Sequence, residues 1–353
     1  MADSFDHLIL GSTPLAGLIA GLLAAAHGRR VCLVGEPFSP FRLQRNLGLS
    51  IAPVTRPETL ILLKASAAET VRLIGGWGKG LLTRADALFV AETPASIAAL
   101  GHFRHLALAL GYTIEPLADR SIAGGLMLRV RDAQLIGHGR LEPELESWLA
   151  GLGVRHLDAA VTDVTLRKDG SARIASEGRT FEAAQAVLAG DNVIRQYLGD
   201  DNLDRSLETV PASSVLLEGG RPLPSPFVAF LDRGVTLEQD GRVAVSGVVT
   251  GDPATARARL GSAVARAGTL RLAGETALHA VRTIDGAPYF GPARGARTLL
   301  IAGLGPAAPF YAPAIARHLA GASPADEASW FAARGPTRGN LRLQVADYSA
   351  VPA

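Results

Sequence analysis

The sequence predicts an α/β fold of Rossmann-like type, and two observations carry that prediction. The first forty residues read as strand, glycine turn, helix, strand, acid. The chain is 353 residues long and 48% apolar, enough to bury a large core in two domains or in one core with an inserted lobe.

The elements follow in order. His7–Leu10 (HLIL) is a short apolar run that ends on Gly11. Ser12-Thr13-Pro14 turn the chain into Leu15–His27, where Leu and Ile alternate with Ala and Gly as in a tightly packed helix. Gly28 closes that helix, and Val31–Val34 (VCLV) is a second strand that runs into Gly35-Glu36. Such a βαβ unit binds dinucleotides: a glycine turn lets backbone N–H groups approach a pyrophosphate at the helix N-terminus, and an acid after the second strand binds ribose hydroxyls. Gly11, Ser12, Thr13, Gly17 and Glu36 are therefore candidate cofactor contacts. The pattern departs from G-x-G-x-x-G, because Thr13 and Ala16 stand where glycines belong and the acid comes one place late. On these residues alone, a βαβ unit that merely packs remains an open alternative.

Composition narrows the partners. Lys and Arg number 35 against 33 Asp and Glu, a net charge of +2, so nothing electrostatic calls for nucleic acid or an acidic membrane. Cys32 is the only cysteine, which excludes intramolecular disulfides, cysteine zinc sites and iron–sulfur clusters, and its apolar strand predicts an inert buried thiol. The apolar run Pro14–Ala26 is shorter than the roughly 20 residues of a membrane span. Asp3 and Asp6 precede it where a signal peptide carries positive charge. Leu299–Ala316 is broken by Pro306, Pro309 and Pro313. A cytoplasmic protein without a membrane span is expected. His102 and His105 have a chelating i, i+3 spacing but no third ligand nearby, so no metal is expected.

Further segments resemble the D-amino-acid oxidase and glycine oxidase superfamily of FAD proteins. Phe41–Pro53 (FRLQRNLGLSIAP) is similar to its S-x-R-N-x-G-x-I-x-P segment, which brings Arg45, Asn46 and Gly48 near the flavin. Gly139–Leu152 followed by Gly153-Val154 looks like its helix and "GV" strand, which implies an adenine-contacting valine at Val161 or Val164. Ala186–Asp191 (AVLAGD) resembles the strand that runs beneath the cofactor, with Gly190 in contact. Val281–Pro292 (VRTIDGAPYFGP) is similar to R-P-x-T-x-D-G-x-P-x-I-G-P. Leu299–Ala302 then leads to Gly303, Gly305 and Ala308, where the family expects glycine at 308, and a helix over 313–320 points its N-terminus back at that loop. The similarity runs through most of the chain in the family's order.

The resemblance implies a discontinuous Rossmann-like FAD-binding domain (1–75, 135–195 and 275–353) and a mixed β-sheet substrate domain (76–134 and 196–274). Val228–Leu231 and Val243–Val249 read as paired strands of the latter. It implies an FAD-dependent oxidoreductase that transfers hydride to flavin from a primary or secondary amine, with an amino acid as the expected substrate. Arg282 would hold the substrate carboxylate, although the family's arginine stands where this chain has Ala280. Tyr289 and Tyr311 would line the substrate cavity. His279 and His138 are weaker candidates. Two alternatives stay open: an accessory, non-catalytic subunit of a larger complex with weakened FAD binding, and a flavoenzyme acting on a partner protein or bulky metabolite, with Trp77 in Gly75–Gly80 as lid or partner contact.

Overall fold

The computed structural model describes residues 4–39, 42–45, 47–117, 125–199, 203–240, 244–264 and 270–338. The chain opens with β1 (Ser4–Leu10), α1 (Pro14–His27) and β2 (Val31–Gly35), then α2 (Pro57–Gly75), β3 (Leu82–Ala91), α3 (Pro94–Ala109), β4 (Ile114–Leu117) and β5 (Leu126–Ile136). Next come α4 (His138–Gly151), β6 (Arg155–Asp158), the hairpin β7 (Thr162–Leu166) and β8 (Ala172–Ser176), β9 (Arg179–Leu188) and α5 (Asp191–Leu198). The remainder is β10 (Leu207–Glu218), β11 (Phe227–Phe230), β12 (Val235–Asp240), β13 (Ala244–Thr250), α6 (Pro253–Val264), β14 (Arg271–Thr283), β15 (Tyr289–Pro292), β16 (Leu299–Ala302), α7 (Ala312–Leu319) and α8 (Ala325–Ala332).

Two mixed sheets result. In the first, β6, β2, β1, β9 and β16 lie side by side and parallel, β15 runs antiparallel on the β16 edge, and the β7–β8 hairpin joins β9. Strand order reverses between β1 and β9, so a crevice opens beyond their carboxyl ends, at Gly11 and Gly190, where ligands bind in open α/β sheets. The second sheet runs β14-β10-β13-β12-β11-β3-β5-β4, antiparallel except for β11 beside β3. The sequence cut at 274/275 falls inside β14, which stays in this sheet to Thr283. β11 and β13 do not pair with each other as expected, because β12 lies between them and bonds both.

Local chemistry explains α1. Thr13 is its N-cap, Pro14 takes the first turn, where a missing N–H costs nothing, and Gly28 ends it in the left-handed region (φ 61°). Its glycines serve packing. A Cβ on Gly17 would stand 2.7 Å from Leu145, and one on Gly21 2.0 Å from Trp148, so both let α4 close on α1. Gly17 is thus a helix-packing residue rather than a cofactor contact. Trp77 packs on Trp148 with ring centroids 4.8 Å apart and planes tilted by 41°, which ties down the glycine-rich stretch expected to act as a lid. The segment after β2 is strung between the sheets: Leu49 N–H donates to Pro306 O (2.9 Å), Ser50 N–H to Gln134 O (2.9 Å), and Ser214 Oγ to Gln44 O (2.6 Å). Among the described residues, no helix is long and apolar enough to cross a membrane.

The β1–β2 ends pack so closely that a Cβ on Gly35 would lie 2.4 Å from Gly11 O, whereas one on Gly101, inside α3, would meet nothing within 4 Å. Gly35→Ala should cost about 1–3 kcal/mol by urea denaturation. Gly101→Ala should be neutral or stabilise by up to about 1 kcal/mol.

Candidate functional site

Two adjoining cavities fill the crevice, and they share Thr13, Pro14, Arg45, Gly190 and Asp191. The first, about 110 Å³, runs from the Gly11 turn past Gly35 and Glu36 to α4, which contributes His138 and Glu142. The second, about 260 Å³, lies between the sheets.

The polar cleft is built from the end of the βαβ unit. Ser12 Oγ accepts from Glu36 N–H at 2.8 Å, which ties the turn to the end of β2. Thr13 Oγ1 accepts from Ala16 N–H at 3.5 Å. A helix start leaves its first four N–H groups unbonded within the helix. Here Pro14 has none and Ala16 is engaged, which leaves Thr13 and Leu15. The Glu36 carboxylate is held by Arg45 (Nη1–Oε1 3.0 Å) and flanked by Arg42 (Nε–Oε2 3.2 Å). Both arginines belong to the segment following β2, so the acid meant for ribose hydroxyls is already charge-compensated.

Three titratable groups in this cleft are shaped by burial. The His138 imidazole is pushed down to about 4 and is therefore neutral at ordinary pH, and its buried Nε2 has no hydrogen-bond partner. Burial raises the Glu142 carboxyl, opposed by Arg42. Asp191, at the first turn of α5, is pushed up to about 6 by burial, partly offset by a hydrogen bond to the Val281 backbone. No local signal marks Asp191, since its position matters only where the two cavities meet.

The second cavity is largely apolar. Phe89 of β3 and Phe227 and Phe230 of β11 form one wall, and Leu47, Leu49 and Ile51 lie across from β14 residues Ala280–Thr283. Its far end is the glycine loop and 3-10 turn Gly303–Pro309, which includes Gly305 and Ala308. Gly303 takes φ 73°, a left-handed conformation that favours glycine. This 3-10 turn, rather than the N-terminus of α7, faces the cavity. Arg282 lines it, and its Nε donates to Oε1 of Glu208, its cross-strand partner on β10, at 2.6 Å.

Gly11, Ser12, Thr13, Glu36, Arg45, Gly190, Gly303, Gly305, Ala308 and Arg282 thus meet in one crevice. Others lie elsewhere. Tyr289 is fully buried, its hydroxyl donating to Pro292 O (2.8 Å), and Tyr311 is fully buried against Trp330 and Thr59, so neither lines a cavity. Val164 pairs with Ile174 in the β7–β8 hairpin and packs on the sheet's other core, while Val161 is 60% exposed; Ala159 lines that end of the cleft instead. A Cβ on Gly48 would strike Ile136 at 2.8 Å, so it too is a packing glycine. Asn46 lies outside the described residues. His279 lines the polar cleft, with Nδ1 3.0 Å from Arg195 Nη1. His102 and His105 are exposed on α3, and no metal-holding cluster occurs among the described residues. Burial pushes the Cys32 thiol up to about 12.

No protein-family model matches the chain, and no curated protein matches it in sequence. Solved structures do match in fold. Glycine oxidase from Geobacillus kaustophilus superposes with a TM-score of 0.70 at 17% identity, covering 96% of this chain and 99% of its own. L-proline dehydrogenase from P. horikoshii gives 0.70 at 14% identity over 96% and 98%. L-amino acid deaminase from Proteus vulgaris, with its specific insertion sequence deleted, gives 0.69 at 13% identity over 96% and 95%. The chain therefore has the Rossmann-like fold of these structures over most of its length.

Because the folded pKa of Asp191 lies above its unfolded value, ionising it costs stability above about pH 6, and the cost fades as pH falls toward the ordinary carboxylate range. Asp191→Asn should stabilise the ligand-free chain by on the order of 1–2 kcal/mol at pH 8 and by nothing measurable near pH 4, read by urea denaturation at both pH values.

Proposed function

We propose that the protein is an FAD-dependent oxidoreductase that oxidises a primary or secondary amine. The observation that carries this reading is the pair of joined cavities across the β1–β9 switch point, polar at Gly11–Glu36 and apolar at Gly303–Pro309.

The residues present fit such a cofactor at three places. A side chain on Gly11 would lie 2.6 Å from Ala189 O, so the turn is as tight as backbone allows and leaves the cleft to a ligand. Arg45 stands where the cavities join and is the cation for a diphosphate. The apolar cavity beside the Gly303–Ala308 backbone suits a planar ring. Asp191 is the one group that opposes the fit, since its carboxylate shares that junction.

Bound flavin would supply a two-electron oxidant that takes hydride from the amine carbon, and water would hydrolyse the resulting iminium to a carbonyl compound and ammonium, or a primary ammonium where the substrate is a secondary amine. The chain itself supplies placement. The phenylalanine and leucine walls exclude water, and β14 sets how deep a substrate sits. No acid–base pair is required for that transfer.

A second reading has an observation in its favour. The thrifty α1 N-terminus and the Asp191 carboxylate fit an accessory subunit with weakened FAD binding. The visible spectrum of the purified protein, with the released cofactor identified by mass, separates the two. FAD in stoichiometric amount is expected. Arg45→Ala should weaken FAD binding at least about tenfold, or about 1.4 kcal/mol, and Asp191→Asn should tighten it at pH 8. A colourless protein that takes up no added FAD overturns the enzyme reading in favour of the accessory one.

A further inference from the structure

We infer that the substrate is an apolar amine without a carboxylate, so that oxidation yields an aldehyde or ketone rather than an oxo acid; this rests on the oxidoreductase reading above. The inference comes from the charge balance of the apolar cavity. Among its described lining residues only Arg45, Asp191 and Arg282 carry charge. Arg45 is bonded to Glu36 at 3.0 Å. Arg282 is bonded to Glu208 at 2.6 Å, and the two are directly paired across β10 and β14, so the bond needs no reach or rearrangement. Glu208 is not among the cavity's lining residues and neutralises the arginine from its cross-strand position on β10.

A substrate carboxylate entering here meets no cation that an acid of the chain does not already hold, and it meets Asp191 as a like charge. It would have to share Arg282 with Glu208, which already balances its charge, while Asp191 repels it, so the cavity as a whole offers a carboxylate no net positive charge. An amine brings no anion; its apolar body replaces water along Phe89, Phe227, Phe230, Leu231, Val235 and Val248, and Asp191 is the acid its ammonium meets. The step balances as a two-electron oxidation. An ammonium R–CH2–NH3+ gives one proton to solvent and hydride to the oxidant, and the iminium R–CH=NH2+ with water gives R–CHO and NH4+.

The test pairs substrates that differ only by the carboxylate. The FAD-loaded protein under nitrogen is mixed with 2-phenylethylamine or with either enantiomer of phenylalanine, and bleaching of the visible flavin band is followed. The amine should bleach the flavin at least about tenfold faster at equal concentration, a factor worth about 1.4 kcal/mol. Phenylalanine acting as fast or faster overturns the inference. Benzylamine and benzoate binding, measured by calorimetry on the protein with or without FAD, decides the point independently of turnover. Benzylamine binding more tightly supports it, and benzoate binding equally or more tightly, or neither binding, overturns it. If FAD is held but no amine or amino acid bleaches it, the oxidoreductase reading fails while the binding comparison still stands. Glu208→Gln, with folding checked by its melting curve, should raise benzoate affinity and the phenylalanine rate at least about tenfold by releasing Arg282. No gain in either overturns the role given to Glu208.

Discussion

The crevice exists because backbone meets backbone at the carboxyl ends of β1, β2 and β9. Gly35 sits against Gly11 O and Gly11 against Ala189 O, each at a distance no side chain would permit. That contact brings three parallel strands to one point and aims α1 at it. It also fixes where the segment following β2 departs, and that segment carries Arg42 and Arg45 into the cleft. Any residue larger than glycine at 11 or 35 would push these strands apart, and the site would open with them.

A second pattern is the use of arginine as a bridge between distant segments. Arg317 holds Glu69 and Glu327 (2.6 Å each), joining α7 to α2 and α8. Arg338 holds Asp285 at 3.0 Å, with both side chains nearly buried, so Asp285 of the C-terminal motif anchors the chain's last described turn, while Gly286 beside it lines the apolar cavity. Arg282 with Glu208 and Arg45 with Glu36 follow the same habit inside the crevice. The planar guanidinium suits this because it stays charged and grips a carboxylate through several donors at once. The consequence for the site is a cavity with little charge to spare.

The crevice itself is divided by task. Its polar half gathers the ends of β1 and β2, the segment following β2, and residues of α4, α5 and β14. Its apolar half is made of side chains from both sheets, and the bonds from Leu49 to Pro306 and from Ser50 to Gln134 keep those sheets at a constant separation. Asp191 stands where the halves meet, and desolvation of its half-buried carboxyl pushes it up to about 6.

The sequence by itself determined the βαβ unit, the glycine turns and the strand that ends at Gly190, since these depend on spacing, caps and alternation within a few residues. Gly11, Ser12, Thr13 and Glu36 were legible for that reason, whereas Arg45 and the Gly303–Ala308 loop were singled out by the family resemblance. Tertiary structure decided what each side chain faces. Tyr289 and Tyr311 flank the right motifs yet turn into the core: β15 contributes no residue to either cavity, and the 3-10 turn lines the apolar one with Gly305, Pro306, Ala308 and Pro309 instead of Tyr311. Gly17 and Gly48 belong to packing because Leu145 and Ile136, far away in sequence, come down on them. Glu208 and the phenylalanines of β3 and β11 gave no sign at all. A residue's role in a shared cavity depends on which strands become neighbours, and that follows from the burial of whole sheets rather than from any local pattern.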